Sequence, residues 1–179
     1  MPQLSPPSLV TKRVAHLPAL ALRCGETLSG VTIGYETYGR LNDARDNVVL
    51  VCHHFSGASN AAGRYREDDP PGWWDAVIGP GKAIDTDRYF VVAIDALGCV
   101  RLDAPHGVTT HAASLDPRTG RPYGPGFPAI AIADMVAAQR LVLDQLGIER
   151  LAAVAGPSLG AMQALAWATE RPEEVDRVI

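Results

Sequence analysis

No run in the sequence approaches the ~18 consecutive apolar residues that a membrane-spanning helix needs. The first residues, interrupted by Pro2, Pro6 and Pro7, hold no continuous apolar segment of a secretory signal. Both absences place the chain in the cytoplasm. Cysteine is scarce: Cys24, Cys52 and Cys99 are odd in number and lack a Cys-x-x-Cys spacing, which excludes a disulfide framework and a zinc cluster and leaves free thiols. Positive charge is short too. The formal net charge is -4 and the basic residues are scattered, so no nucleic-acid surface is expected. With 47% hydrophobic and 20% charged residues in 179, the chain has material for one domain with a real core, and neither an internal repeat nor a second domain is visible.

Residues 1–12 read as a loose arm. Leu20–Arg23 and Val31–Tyr38 alternate in strand fashion around turns at Cys24-Gly25-Glu26 and Ser29-Gly30, which predicts an opening antiparallel hairpin. Asn47–His53 and Tyr89–Asp95 are continuous apolar runs, the mark of strands buried on both faces of a parallel sheet. Each is followed by a long excursion rich in Gly and Pro, residues 55–87 and 96–128. The piece Gly72–Ile78 is the helix-like part of the first. Both excursions leave from the carboxyl ends of strands, where open α/β sheets bind ligands, so they are expected to wall a pocket. Ile130–Leu146 shows helical spacing with Gly147 placed to end it, and Val175–Ile179 starts a further strand.

Between them lies Gly156-Pro157-Ser158-Leu159-Gly160. It follows the apolar run Leu151–Ala155 and precedes the helix-forming stretch Leu159–Thr169, closed by Pro172. Gly-x-Ser-x-Gly between strand and helix is the spacing of a nucleophile elbow, a strained turn in which small neighbours let strand and helix pass closely. Ser158 is the candidate nucleophile; an ordinary helix-capping serine is the bland alternative. Two backbone N–H groups would bind the developing oxyanion, one from the residue after the nucleophile and one from the loop after the third strand. Those residues are Leu159 and Phe55.

A serine hydroxyl also needs a general base, and on elbow-bearing sheets the order along the chain is Ser, then Asp or Glu, then His. His16, His53, His54, His106 and His111 all precede Ser158. His53 and His54, adjacent at a strand end, are expected to point to opposite sides and to serve packing. His106 and His111 are read as solvated or capping loop residues, with approach to Ser158 the alternative. No metal site is expected from this set. Gly79-Pro80-Gly81-Lys82-Ala83 lacks the first Gly and the Ser/Thr of a phosphate loop. Trp73 and Trp74 are read as lid packing, Cys52 as core and Cys99 as a pocket-lining thiol.

From about Leu20 onward the residues resemble the homoserine O-acetyltransferase family of α/β-hydrolase-fold acyltransferases. The resemblance rests on ordered blocks: Tyr35-Glu36-Thr37-Tyr38-Gly39, Val51-Cys52-His53, Pro71-Gly72-Trp73-Trp74-Asp75, Ile78-Gly79-Pro80-Gly81-Lys82 and Asp85-Thr86-Asp87-Arg88-Tyr89-Phe90. It continues in Leu97-Gly98-Cys99, Thr119-Gly120-Arg121-Pro122-Tyr123-Gly124, Asp134-Met135-Val136 and Leu146-Gly147-Ile148. It implies the N-terminal part of an α/β-hydrolase fold: a mostly parallel sheet with an initial antiparallel hairpin, incomplete after the elbow and its helix, over a single domain of residues 1–179. It implies no permanent cofactor, acetyl-CoA as co-substrate, and a ping-pong transfer through Ser158 with Phe55 and Leu159 as oxyanion donors. The family's Asp and His have no counterpart here.

The elbow departs from the family's usual Gly-Gly-Ser-Met-Gly-Gly, and His54-Phe55 replaces a smaller Ala-Leu pair. Phe55 would reshape the acyl pocket. A divergent acyltransferase or esterase therefore stands beside the acetyltransferase reading, and a non-catalytic half-sheet interaction module beside both. The apolar edge at Val178-Ile179 invites pairing with another chain, so a homodimer or a complementary C-terminal half is the expected partner.

Overall fold

The computed structural model describes residues 9–179. Five strands form the central sheet: β1 (Arg13–His16), β2 (Thr32–Tyr38), β3 (Val48–Cys52), β4 (Phe90–Ile94) and β5 (Ala153–Ala155), in spatial order β1-β2-β4-β3-β5. The pairs β1/β2 and β2/β4 are antiparallel; β4/β3 and β3/β5 are parallel. Two helices follow in the second half, α1 (Ile132–Gln145) and α2 (Leu159–Glu170).

Strand β3 shows why the continuous apolar runs exist. Val48, Leu50 and Cys52 turn to one face, where Val136, Val142 and Leu143 of α1 and Ala164 and Trp167 of α2 cover them. Val49 and Val51 turn to the other, where Ala61, Ala62 and Ile78 of the first excursion cover them, with Trp73 and Trp74 packed alongside. Every residue of β3 is buried. At ~1.5–3 kcal/mol for each large apolar side chain removed from water, this double burial is the main stabilising contribution to the sheet's centre. Trp73 also donates its indole N–H to the Ala58 carbonyl at 2.9 Å.

Helix α1 begins where Asp134 accepts the N–H of Ala131 (2.8 Å) and of Arg23 (2.9 Å), satisfying a donor that the helix start leaves free. It ends at Gly147, whose φ of +66° closes the last turn while Ile148 N–H reaches the Leu143 carbonyl. Beneath the elbow the two helices are joined by buried amides. Gln139 donates to Gln163 at 2.6 Å, and Trp167 donates to Gln139 at 2.8 Å.

Three expectations need correction. The antiparallel partner of β2 is Arg13–His16, not Leu20–Arg23; Leu20–Ala21 instead pairs with Thr27–Leu28 in a separate ribbon. Leu20, Leu22 and Leu28 are buried against the main core, so this ribbon acts as a cover. The helix-like piece Gly72–Ile78 is a run of turns over residues 73–77 that ends at the two-residue strand Ile78–Gly79. The Asp75 side chain, which accepts Gly63 N–H (2.9 Å) and pairs with Lys82 (3.2 Å), ties these turns to the neighbouring loops. The arm read over residues 1–12 lies outside the described residues up to residue 8, but its end is fixed: Val10 N–H bonds the Arg64 carbonyl at 2.8 Å, and the Lys12 side chain is 3% exposed.

Val175–Ile179 runs beside β5 in parallel through bridges Leu151↔Val175 and Val154↔Val178, as expected of a further strand, though with interrupted pairing. Val178 and Ile179 remain 38% and 72% exposed.

Candidate active site

Strand β5 ends at Ala155 and α2 starts at Leu159, so the reversal is made in three residues. Ser158 carries it with φ +55° and ψ -119°, a left-handed conformation that L side chains avoid at a cost of about 1–3 kcal/mol. Its side chain is exposed. The flanking glycines are there for space: a Cβ on either Gly156 or Gly160 would collide with the carbonyl oxygen of Cys52 at the end of β3. The turn is closed by Gly160 N–H to Pro157 O and Ala161 N–H to Ser158 O, both 2.9 Å.

Beside the elbow lies a cavity of about 540 Å³ whose wall includes both Phe55 and Leu159. The loop after β3 and the first turn of α2 thus meet on one pocket, at the carboxyl ends of the strands where open α/β sheets bind ligands. Leu159 N–H opens a helix, and neither it nor Phe55 N–H has an acceptor among the described residues. Phe55 is 81% exposed. The second excursion supplies the opposite wall with Leu97, Val100 and Phe127, and α1 supplies Met135. Cys99 lines it as expected, with its thiol donating to the Gly57 carbonyl at 3.2 Å. Burial pushes Cys99 up to about 11 and Cys52 up to about 12, so both are neutral thiols rather than nucleophiles.

His53, His54 and His111 are engaged elsewhere in the fold, and His16 lies exposed on β1. His53 is buried; its Nε2 accepts the Ala96 N–H at 2.9 Å and its Nδ1 lies 2.7 Å from the His54 carbonyl. Burial, chiefly, lowers its pKa, keeping it neutral. This ring ties the loop after β4 to the loop after β3. His54 packs edge-on against Trp73. His111 is buried and accepts the Ala113 N–H at 3.0 Å, a turn-capping role. His106 lies against Tyr65 with Nε2 3.8 Å from Asp103. Neither loop histidine is solvated: the second excursion folds back on itself and on β2, which takes Thr110 N–H through the Thr32 carbonyl at 2.9 Å.

Residues 47–179 match the alpha/beta hydrolase fold family. The chain belongs to that family. It is 52% identical over 161 residues to a homoserine O-acetyltransferase of Symbiobacterium thermophilum, covering 89% of this chain and 40% of that enzyme. It is 49% identical over 183 residues to a homoserine O-succinyltransferase of Litchfieldella anticariensis, covering 100% and 45%. Among solved structures, esterase E22 superposes with a TM-score of 0.91 at 49% identity, covering 94% of this chain and 46% of that one. The chain therefore spans less than half the length of these relatives.

This alpha/beta hydrolase fold carries one buried polar cluster assembled from residues far apart in sequence. Lys12, from the segment before β1, sits under the pocket loop with its Nζ 2.9 Å from Asp95 Oδ2 and 2.6 Å from Ser59 Oγ. Asp95 also accepts the Ser59 N–H (2.6 Å) and the Thr109 hydroxyl (2.7 Å). Glu36, wholly buried, accepts from Tyr38 (2.8 Å) and Tyr65 and lies 3.9 Å from Lys12. Burial, the largest influence, raises the Glu36 pKa against the lowering by Tyr65, Lys12 and Tyr38. One end of the loop that presents Phe55 is thus moored to β2, to the end of β4 and to the second excursion. The only sequence signal was the polar interruption Glu36 within an otherwise strand-like run.

Proposed function

We propose that this chain supplies the nucleophile and oxyanion side of a serine acyltransferase that works through an acyl-enzyme, with acetyl-CoA as donor and homoserine as acceptor. Ser158 Oγ attacks the thioester carbonyl and forms the C–O bond; the negative charge gathers on the carbonyl oxygen, held by the N–H groups of Phe55 and Leu159 and by the positive end of α2. Collapse breaks the C–S bond and releases the thiol with the serine's proton. The homoserine hydroxyl then attacks the acetyl-serine and restores Ser158. The Asp and His that move these protons are supplied by residues outside this chain, in a complementary C-terminal half, and the assembly is cytoplasmic. The single observation that carries the reading is the left-handed, exposed Ser158 set between β5 and α2.

A second acceptor, water, is favoured by the 49% identity to esterase E22 and by the exposed ring of Phe55; the acyl-enzyme step is the same. Treatment of the chain, joined to a C-terminal segment that carries the Asp and His, with a fluorophosphonate, followed by peptide mass mapping, tests the nucleophile. An adduct on the Ser158 peptide, lost in Ser158→Ala, is expected. An adduct elsewhere, or none at saturating reagent, would overturn the reading.

A further inference from the structure

The wall of the cavity beside Ser158 is apolar where an acyl chain would lie: Phe55, Leu97, Val100, Phe127, Ile130 and Met135. The one cation in that wall, among the described residues, is Arg101. Its guanidinium is already engaged. Nε and NH2 donate as a fork to Asp103 Oδ1 and Oδ2, both at 3.0 Å, and NH1 donates to the Ser56 carbonyl at 3.3 Å. This is the bidentate geometry in which an arginine would otherwise clasp a substrate carboxylate. Lys12 is buried and held by Asp95, and His53 is spent on two backbone groups.

We propose that this cavity selects uncharged acyl chains and refuses those ending in a carboxylate, with Asp103 acting as the refusing group because it fills the Arg101 fork. The proposal rests on the acyl-enzyme reading in taking the cavity as the acyl site. It divides the two acyl chemistries named among the relatives, acetyl and succinyl, in favour of the former. A terminal carboxylate has two options here, and both are unfavourable. It can displace Asp103 from its fork, or it can lie against an apolar wall, losing hydration without gaining a partner. Asp103 is 55% exposed and Arg101 31%, so solvent weakens the pair's own contribution to stability while leaving the fork occupied. Specificity of this kind comes from a repulsive element against the wrong ligand as much as from contacts to the right one.

The test reads binding rather than turnover. With methionine methyl groups carbon-13 labelled, Met135 in the wall reports on the cavity, and Met162, exposed on the outer side of α2, serves as the control. Methyl butyrate, dimethyl succinate and monomethyl succinate are titrated at neutral pH, where only the last is charged. Methyl butyrate and dimethyl succinate are expected to shift Met135 and leave Met162 in place, with monomethyl succinate at least tenfold weaker. Asp103→Asn, at an exposed position, is expected to bring monomethyl succinate to within about threefold of methyl butyrate while methyl butyrate binds as before. Equal or tighter binding of monomethyl succinate by the native chain, an unchanged ratio in Asp103→Asn, or no shift of Met135 with any ester would each overturn the proposal. A fluorophosphonate adduct on Ser158 alongside any of these results would leave the nucleophile reading standing, so the two failures are distinguishable.

Discussion

Lys12 and Asp95, 83 positions apart in sequence, meet as an ion pair of 2.9 Å with side chains 3% and 1% exposed. Because Asp95 also accepts the Ser59 N–H, the pair ties the segment before β1 to the loop that carries Phe55. A buried ion pair is a poor source of net stability, but a half-broken one is costly because a charge is left without its partner.

Lys12→Met is therefore expected to destabilise the chain by about 3–5 kcal/mol, the range for stranding a buried charge. Lys12→Met combined with Asp95→Asn should recover at least half of the loss, since the amide oxygen can still accept from Ser59. Urea denaturation of the two variants decides it. A single variant no worse than the double would show that Asp95 does not depend on Lys12.

Ser158 holds a left-handed backbone that glycine adopts at little cost. Ser158→Gly should raise stability by about 1 kcal/mol, and Ser158→Ala, which keeps the Cβ, should leave it unchanged within error. Equal midpoints for the two variants in denaturant titrations would argue against backbone strain at the elbow.

The buried Glu36 gives a pH signature. Its pKa is raised in the folded chain from an ordinary value near 4.5, so the folded state holds this proton more tightly than the unfolded one. Its contribution is complete below that ordinary value and is lost as pH rises through the folded pKa. Native stability should fall relative to Glu36→Gln over that window and run parallel to it at higher pH. Denaturant midpoints for both proteins from pH 4 upward measure the difference. A native-minus-variant difference that stays constant, or that rises with pH, would contradict the assignment.

What the sequence disclosed about this fold was whatever a local pattern can carry. Val48–Cys52 and Phe90–Ile94 are apolar at every step, and the structure buries both of their faces. Gly156 and Gly160 flank Ser158 at the spacing that lets α2 pass Cys52. Pairings between distant segments left no such trace. Arg13–His16 is too short and too polar to be recognised as a strand, and only its register with Thr32–Tyr35 makes it one. Lys12 looked like part of a solvated arm because a lysine's usual surroundings are water. Its burial depends on Asp95 and Glu36, which come from two different strands or their ends. The amides of Gln139 and Gln163 were equally silent: each sits on a helix where glutamine is ordinary, and only the meeting of α1 and α2 gives them each other. At the site, Ser158, Leu159 and Phe55 were legible as positions in a motif, whereas Arg101 and Asp103 lay in a loop without periodicity.

The place of β5 in the sheet has a consequence for the order in which this protein assembles. Val49 pairs with Ala153, which closes a loop of about a hundred residues, and the entropy of such a closure must be met before the contact returns anything. Helix α2, twelve residues long, is too short to be stable alone in water, and it has no seat until Cys52 and its strand are in position beneath Gly160. The left-handed turn at Ser158 is therefore not a local preference that the chain samples early. It is imposed at the end, when the two halves of the sheet are already joined around it.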